Sequence, residues 1–447
     1  MLRFKTKRFL YGILKNFYKN GCYAVTGARK IGKTILLLQL SEEPNTSYIN
    51  IFEEGKNFDL KEYIEEMKSE GVKRICIDEV CKVTDDNYAD FIETIKLYSS
   101  ELCFIITGSV ATSVRKINRL IGRGVEFKLT PIMYVERVSW LYDIYEVDAD
   151  KLKNLSSVDL FMDYLKNQNY QSNAEMEEYV LDVVQDTLES YLNGSAIEDY
   201  RNKDISEVDF FNCLKYISLC QYIFRTSRGE VCKLPPLNKQ IKNSDSDLLE
   251  GYRRRWGLDT KDILYVCSIL YGCGLSRRVP MYRGDLISLE RIQSVDNILD
   301  AFIFEYPWLS SYFFTDNIKD DVSLIVIWVE SCIVLRASYI YMFYDKLRNT
   351  SDEEIDLVYS AGDDFYGLEV KNVKSTTISK VYISEQKDFA DRVGLRRLDF
   401  TCKDDNESLL RIDKVVASME LEYIELCKNG DKYSKEDIRC LTNKYFN

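Results

Sequence analysis

The chain has 447 residues, of which 46% are hydrophobic and 30% charged, with a net charge of −12 at neutral pH. That size and balance predict a globular protein with two or three sizeable cores, and the acidic surplus argues against non-specific coating of nucleic acid. The sequence holds no histidine, which excludes Ser-His and Cys-His triads and His-ligated metals. Chemistry must then rest on carboxylates, Lys, Arg, Ser/Thr and Mg²⁺.

In chain order, Leu2 to Lys19 reads as an amphipathic helix with Leu10, Ile13, Leu14 and Phe17 on one face. The first acidic residue is Glu42. The basic block before it reads as a solvated helix face in preference to a phosphate surface. A β-prone run, Cys22 to Thr26, leads into Gly27-Ala28-Arg29-Lys30-Ile31-Gly32-Lys33-Thr34, and the apolar stretch Ile35 to Leu40 follows. The octet fits G-x-x-x-x-G-K-[ST], and strand, glycine loop and helix form the context that identifies a P-loop. Its glycines let backbone N–H groups curl round phosphate oxygens at a helix N-terminus. Lys33 is expected at the β- and γ-phosphates and Thr34 on Mg²⁺, so the chain is expected to bind a nucleoside triphosphate.

Strands are expected at Ser47–Ile51, Lys73–Glu79, Leu102–Ser109 and Val125–Leu129, with helices at Leu60–Ser69 and Tyr88–Ser99. Alternating strands and helices predict a doubly wound α/β fold with a parallel sheet and active residues at the strands' C-terminal ends. Ile75-Cys76-Ile77-Asp78-Glu79 reads as a Walker B strand, with Asp78 for Mg²⁺ and Glu79 to orient and deprotonate water. Thr107 and Ser109 are candidate γ-phosphate sensors, Ser109 preferred because Gly108 exposes it. Arg115, Arg119 and Arg123 follow, and Arg123 is the leading candidate to stabilise transition-state charge, from its own or a neighbouring subunit. A structural ion pair is the alternative for it.

Val135 to about Thr226 is expected to be helical and acidic. Arg228 to Arg277 reads as several short helices, and further helix is expected to about Phe304. An apolar helix is expected over Leu324–Leu335, then strands at Tyr339–Tyr344, Glu354–Tyr359 and Phe365–Val370, and a charged helical tail from Leu409. The 13 cysteines, without a C-x-x-C pair, read as reduced thiols packed as small hydrophobes. No apolar run reaches membrane-spanning length, and no apolar signal core follows the basic N-terminus. A cytoplasmic location without a membrane partner is the resulting expectation.

The basic N-terminal helix, the P-loop octet, Ile77-Asp78-Glu79, Ile106-Thr107-Gly108-Ser109 and the run from Gly122-Arg123 through Leu129-Thr130-Pro131 to Glu136 together resemble the prokaryotic AAA+-like ATPases that carry a C-terminal domain of unknown function. The resemblance implies an ATPase domain over residues 1–140, a helical lid or linker over 141–225, a winged-helix-like region over 226–315 and a restriction-endonuclease-like domain with a helical tail over 316–447. In that frame Thr260 to Leu275 looks like a recognition-type helix and Arg277-Arg278-Val279-Pro280 like the start of a wing. With Lys261 as its only base, beside Asp259 and Asp262, the helix suits a protein partner better than DNA. Further on, Asp356 followed by Glu369-Val370-Lys371 looks like the D…E-x-K core of restriction-endonuclease-like nucleases. Glu369 and Lys371 share a strand face, and with Asp356, and Glu330 from the preceding helix, they would hold Mg²⁺ against a phosphodiester. An amphipathic face whose acids pair with Lys371 is the plainer reading. The expectation is an ATP-hydrolysing switch, with an ATP-gated nuclease or a non-enzymatic ATP-dependent binding module as alternatives.

Overall fold

A computed structural model describes residues 7–28, 30–54, 58–83, 85–122, 125–144, 149–166, 178, 180–183, 205–226, 253–272, 274–283, 298–304, 321–340, 343–348, 353–361 and 364–428. Its first layer system opens with α1 (Phe9–Leu14), β1 (Gly21–Thr26), α2 (Lys33–Ser41), β2 (Thr46–Asn50), α3 (Ile51–Glu54), α4 (Leu60–Ser69) and β3 (Arg74–Asp78). It continues with α5 (Asp85–Tyr98), β4 (Cys103–Thr107), α6 (Ala111–Ile121) and β5 (Glu126–Lys128). The five strands pair in the order β2-β3-β4-β1-β5, all parallel. β3 and β4 are buried throughout, as expected of central strands covered on both faces. This is the expected P-loop α/β sheet.

Arg74, within the expected strand Lys73–Glu79, is fully buried at the start of β3. Its guanidinium donates to the carbonyls of Leu14, Lys15 and Phe17 at the end of α1, and to that of Leu40 in α2. Two helix C-termini, each with carbonyls lacking an intrahelical donor, thus converge on one cation. The Tyr18 ring stacks on it at 4.4 Å.

The helices α7 (Tyr134–Leu141), α8 (Ala149–Leu155), α9 (Val158–Lys166) and α10 (Glu207–Thr226) follow, then α11 (Thr260–Gly272), β6 (Ser276–Arg283) and β7 (Ile298–Phe304). Next come α12 (Asp321–Ile340), β8 (Phe343–Arg348), β9 (Glu354–Ala361), β10 (Asp364–Glu369), α13 (Lys380–Val393), β11 (Arg397–Cys402), β12 (Leu410–Arg411) and α14 (Ile412–Lys428). The strands form a second, mixed sheet in the order β12-β11-β10-β9-β8-β6-β7.

This sheet runs across the expected boundary at 315/316. β6, read as the start of a wing, pairs antiparallel with β7 and parallel with β8. The expected winged-helix-like and nuclease-like segments therefore share one sheet. Ile298–Phe304, expected as helix, is a strand because its apolar residues complete the antiparallel pair with β6. The expected strand start at Tyr339 also shifts, because α12 runs on to Ile340. α14 falls within the expected charged tail, yet every residue from Val415 to Ile424 is buried. Among the described residues no helix is long and apolar enough to cross a membrane.

Candidate functional site

β1 delivers the chain into the glycine loop with its side chains buried from Cys22 to Thr26. Gly27 has φ +151°, and a Cβ there would lie 2.3 Å from the Leu129 carbonyl oxygen. Gly32, at φ +98°, is the N-cap of α2. Both positions need the conformational freedom of glycine. Lys33, buried on the first turn of α2, donates its Nζ to the Gly27 carbonyl at 3.0 Å and the Ala28 carbonyl at 2.7 Å. Its ammonium therefore lies inside the loop, at the centre of the cradle. Thr34 is exposed beside it. Lys30, at φ +55°, forms an ion pair with Asp182. Arg29 and Arg123 lie outside the described residues.

The sheet register sets the opposite wall. Asn50 pairs with Asp78, Ile77 with Ile106, and Val25 with Thr107, so Asp78, Glu79 and Ser109 emerge at the same strand ends as the P-loop. Asp78 is buried and accepts from the Glu79 amide at 2.8 Å and from the Tyr48 hydroxyl at 3.3 Å. Burial, and then the Asp78 carboxylate beside it, push the Tyr48 phenol upward, so Tyr48 serves as a neutral donor. Sequence reasoning missed Tyr48, and the signal lay in its place on the strand next to the acidic one. Glu79 holds a left-handed conformation at φ +54°. Its Oε2 accepts from the Ser109 hydroxyl at 3.0 Å and the Ser109 amide at 3.3 Å.

The two candidate sensors separate cleanly. Thr107 is buried and donates to the Val25 carbonyl at 2.6 Å, so its hydroxyl serves the sheet. Ser109 faces Glu79. Arg115 pairs with Glu126 on β5 at 2.8 Å.

The C-terminal constellation forms in part. Lys371 Nζ stands 2.8 Å from Glu369 Oε2 and 3.7 Å from Asp356 Oδ2, and the Tyr382 hydroxyl donates to Glu369 Oε2 at 2.7 Å. Asp356 also accepts from the Val370 amide at 2.9 Å. Burial, joined by the Asp356 charge, pushes the Glu369 carboxyl up to about 7 against the pull of Lys371. Burial works against the Lys371 ammonium, but Asp356 and Glu369 outweigh it and hold the lysine well above its ordinary range. Glu330 is buried in α12. It does not join Asp356 and Glu369 as a third metal ligand, because no cluster of three such side chains forms among the described residues. Sequence reasoning missed Tyr382, which reaches the pair from α13.

The two sheets meet through buried charge. Glu420 on α14 accepts from the amides of Tyr134 and Val135 at 3.0 and 2.8 Å, capping the N-terminus of α7. The same carboxylate pairs with Arg336 of α12 at 2.7 Å, both side chains being buried. Arg336 also donates to the Tyr164 hydroxyl, which donates to the Ile132 carbonyl. The Tyr423 hydroxyl donates to the Lys128 carbonyl on β5 at 2.8 Å. On the other side of the loop, Gly274 packs against Ala28, where an added Cβ would lie 3.3 Å from the Ala28 Cα.

Comparison with known proteins agrees with the first sheet. Residues 19–138 match a family model described as an AAA domain. No curated protein matches. Among solved structures, this chain is similar to a signal transduction ATPase with numerous domains (STAND) carrying a tetratricopeptide repeat sensor, from Pyrococcus horikoshii. The identity is 13%, the match covers 75% of this chain and 47% of that one, and the TM-score is 0.24, a level at which the likeness carries no inference about this chain.

Proposed function

We propose that this chain, whose residues 19–138 form an AAA-type P-loop domain, is a molecular switch that binds ATP with Mg²⁺, hydrolyses it and passes its nucleotide state to the C-terminal sheet. The observation that carries the reading is the convergence of Lys33, Asp78, Glu79 and Ser109 at one edge of the parallel sheet.

In this reading the Lys33 ammonium exchanges the Gly27 and Ala28 carbonyls for β- and γ-phosphate oxygens, and the backbone amides of Gly27 to Thr34 line the phosphate cradle. Thr34 and Asp78 would hold Mg²⁺, which when bound would supply positive charge to the phosphates. The donor set fits such an ion: a buried carboxylate steadied by Tyr48 and a hydroxyl on the first turn of α2. Ser109 turns to the γ-phosphate and releases Glu79, which orients the attacking water and accepts its proton. Arg123 stabilises the charge that develops in transfer, from its own or a neighbouring subunit.

Coupling runs through α7. Its N-terminal amides sit on Glu420, and Glu420 is bound to Arg336 on the helix that precedes β8. A shift of the P-loop relative to β5 and α7 is thereby passed to α12 and α14. The partner that reads the C-terminal unit is a protein or a nucleic acid, and assembly into an oligomer would let Arg123 act on a neighbour. Purified protein should turn over ATP with Mg²⁺, and Lys33→Ala should abolish turnover. Equal activity of the two would overturn the reading.

A second reading, an ATP-gated Mg²⁺-dependent nuclease, is favoured by one observation. The buried Glu369 Oε1 has no hydrogen-bond partner among the described residues, beside Asp356 and Lys371, and an unpaired buried carboxylate oxygen is costly unless something binds it. Mg²⁺- or Mn²⁺-dependent cleavage of DNA or RNA that Lys371→Ala removes would support it. Cleavage that survives Lys371→Ala would reject the site.

A further inference from the structure

Arg8 lies in the basic N-terminal helix segment and has no role of its own in the site described above. It is the N-cap of α1, and its guanidinium makes three directed contacts. Nε meets Glu136 Oε1 at 2.9 Å, Nη1 donates to the Ile31 carbonyl at 3.0 Å, and Nη2 donates to the Thr130 carbonyl at 2.7 Å. Glu136, buried on α7, also accepts from the amides of Phe9 and Met133 at 2.8 and 2.9 Å. Arg8 is therefore fixed at two points and reaches the P-loop with the third.

Ile31 is the last variable residue of the glycine loop, and its carbonyl shares a peptide group with the Gly32 N–H. In a planar trans peptide those two groups point to opposite sides. Holding the Ile31 oxygen outside the loop turns the Gly32 N–H to the inner side, where the cradle faces phosphate. A peptide free to rotate would present oxygen to the anion in part of its population, a repulsive arrangement.

We propose that Arg8 is a positioning residue for nucleotide binding. Braced by Glu136 and Thr130, it locks the Ile31–Gly32 peptide with its N–H toward the β-phosphate of a nucleoside di- or triphosphate. The inference rests on the P-loop reading above. It gives the Leu129-Thr130-Pro131…Glu136 run a task, since Leu129 walls Gly27 while Thr130 and Glu136 hold Arg8. It also accounts for arginine at this position. A lysine has a single nitrogen and cannot meet three acceptors lying in three directions, whereas the planar fork can.

Calorimetric titration of wild type, Lys33→Ala, Arg8→Lys, Arg8→Gln and Glu136→Gln with ATP and with ADP tests this, alongside melting temperatures without nucleotide. Arg8→Lys should weaken ATP and ADP by the same factor, about 10- to 100-fold for the loss of one charge-assisted hydrogen bond and the peptide order it imposes. Arg8→Lys should leave the nucleotide-free melting temperature within a few degrees of wild type, and Glu136→Gln should weaken both ligands less. Unchanged affinity in Arg8→Lys would overturn the proposal. So would an affinity loss that only tracks falling melting temperature across the variants, and Glu136→Gln decides if the Arg8 variants do not fold. If wild type and Lys33→Ala bind ATP alike, the P-loop reading itself fails. If Lys33→Ala alone loses binding, only the role of Arg8 fails.

Discussion

Glu79 and Ser109 are joined by two hydrogen bonds, from the serine hydroxyl at 3.0 Å and the serine amide at 3.3 Å, both to the Glu79 Oε2. The carboxylate expected to activate water is thus held by the residue expected to sense the γ-phosphate. Glu79→Gln keeps an acceptor for Ser109 but removes the proton acceptor. Turnover should fall about 100-fold or more, the usual contribution of a positioned general base, with ATP affinity unchanged. Ser109→Ala should lower turnover less, by about tenfold for one lost hydrogen bond, because Glu79 keeps its chemistry and only the serine's contact with the γ-phosphate is lost. Steady-state ATPase rates with parallel ATP titrations check both.

Gly27→Ala should be more damaging than Gly32→Ala. The added methyl at Gly27 meets the Leu129 oxygen at 2.3 Å, whereas the one at Gly32 meets nothing within 4 Å. Both substitutions force a side chain into a positive-φ backbone, a strain of about 1–3 kcal/mol, but only Gly27 must also push β5 away. Chemical denaturation should rank wild type, Gly32→Ala and Gly27→Ala in falling stability, and ATP affinity should follow that order.

The first sheet was legible because its strands are short apolar runs between clear helical segments. Asp78-Glu79 also ends a strand at a readable distance from Lys33. The second sheet was legible only in part. Ile298–Phe304 is an apolar run too short for periodicity to separate strand from buried helix, and only its pairing with Ser276–Arg283 decides the matter. Arg74, Arg8 and Glu420 were not legible at all. Each satisfies backbone groups of distant segments, Glu420 reaching Tyr134 across 286 positions, and no local pattern marks such a pairing.

Arg336 and Glu420 are both buried and bound to each other at 2.7 Å. Removing either charge alone leaves the other unpaired, at about 3–5 kcal/mol. Arg336→Met and Glu420→Gln should each lower stability on that scale, and the double variant should lose less than their sum. Glu420→Gln should lose additional stability through weaker capping of α7. Urea denaturation of the four proteins in a double-mutant cycle measures the coupling.

The Glu369 carboxyl, raised by burial from 4.5 to about 7, makes stability depend on pH with a definite sign. Between these values the folded state binds more protons than the unfolded state, so this group's contribution to stability is full below about pH 4.5 and declines as pH rises toward 7. Glu369→Gln has no such titration. Relative to wild type, the variant should therefore become more favourable between pH 5 and pH 7.5, by on the order of 1–3 kcal/mol. Denaturation of both proteins at the two pH values checks the direction.

In the proposed switch, the ATP state at Lys33 reaches the C-terminal unit through α7 and Glu420. Amide hydrogen exchange over residues 412–428, with and without ATP and Mg²⁺, tests it most directly. Protection of that helix should change on ATP binding in wild type and stay fixed in Lys33→Ala. If wild type binds ATP and the exchange of 412–428 is the same with and without nucleotide, the helix does not report the P-loop and the switch is contradicted.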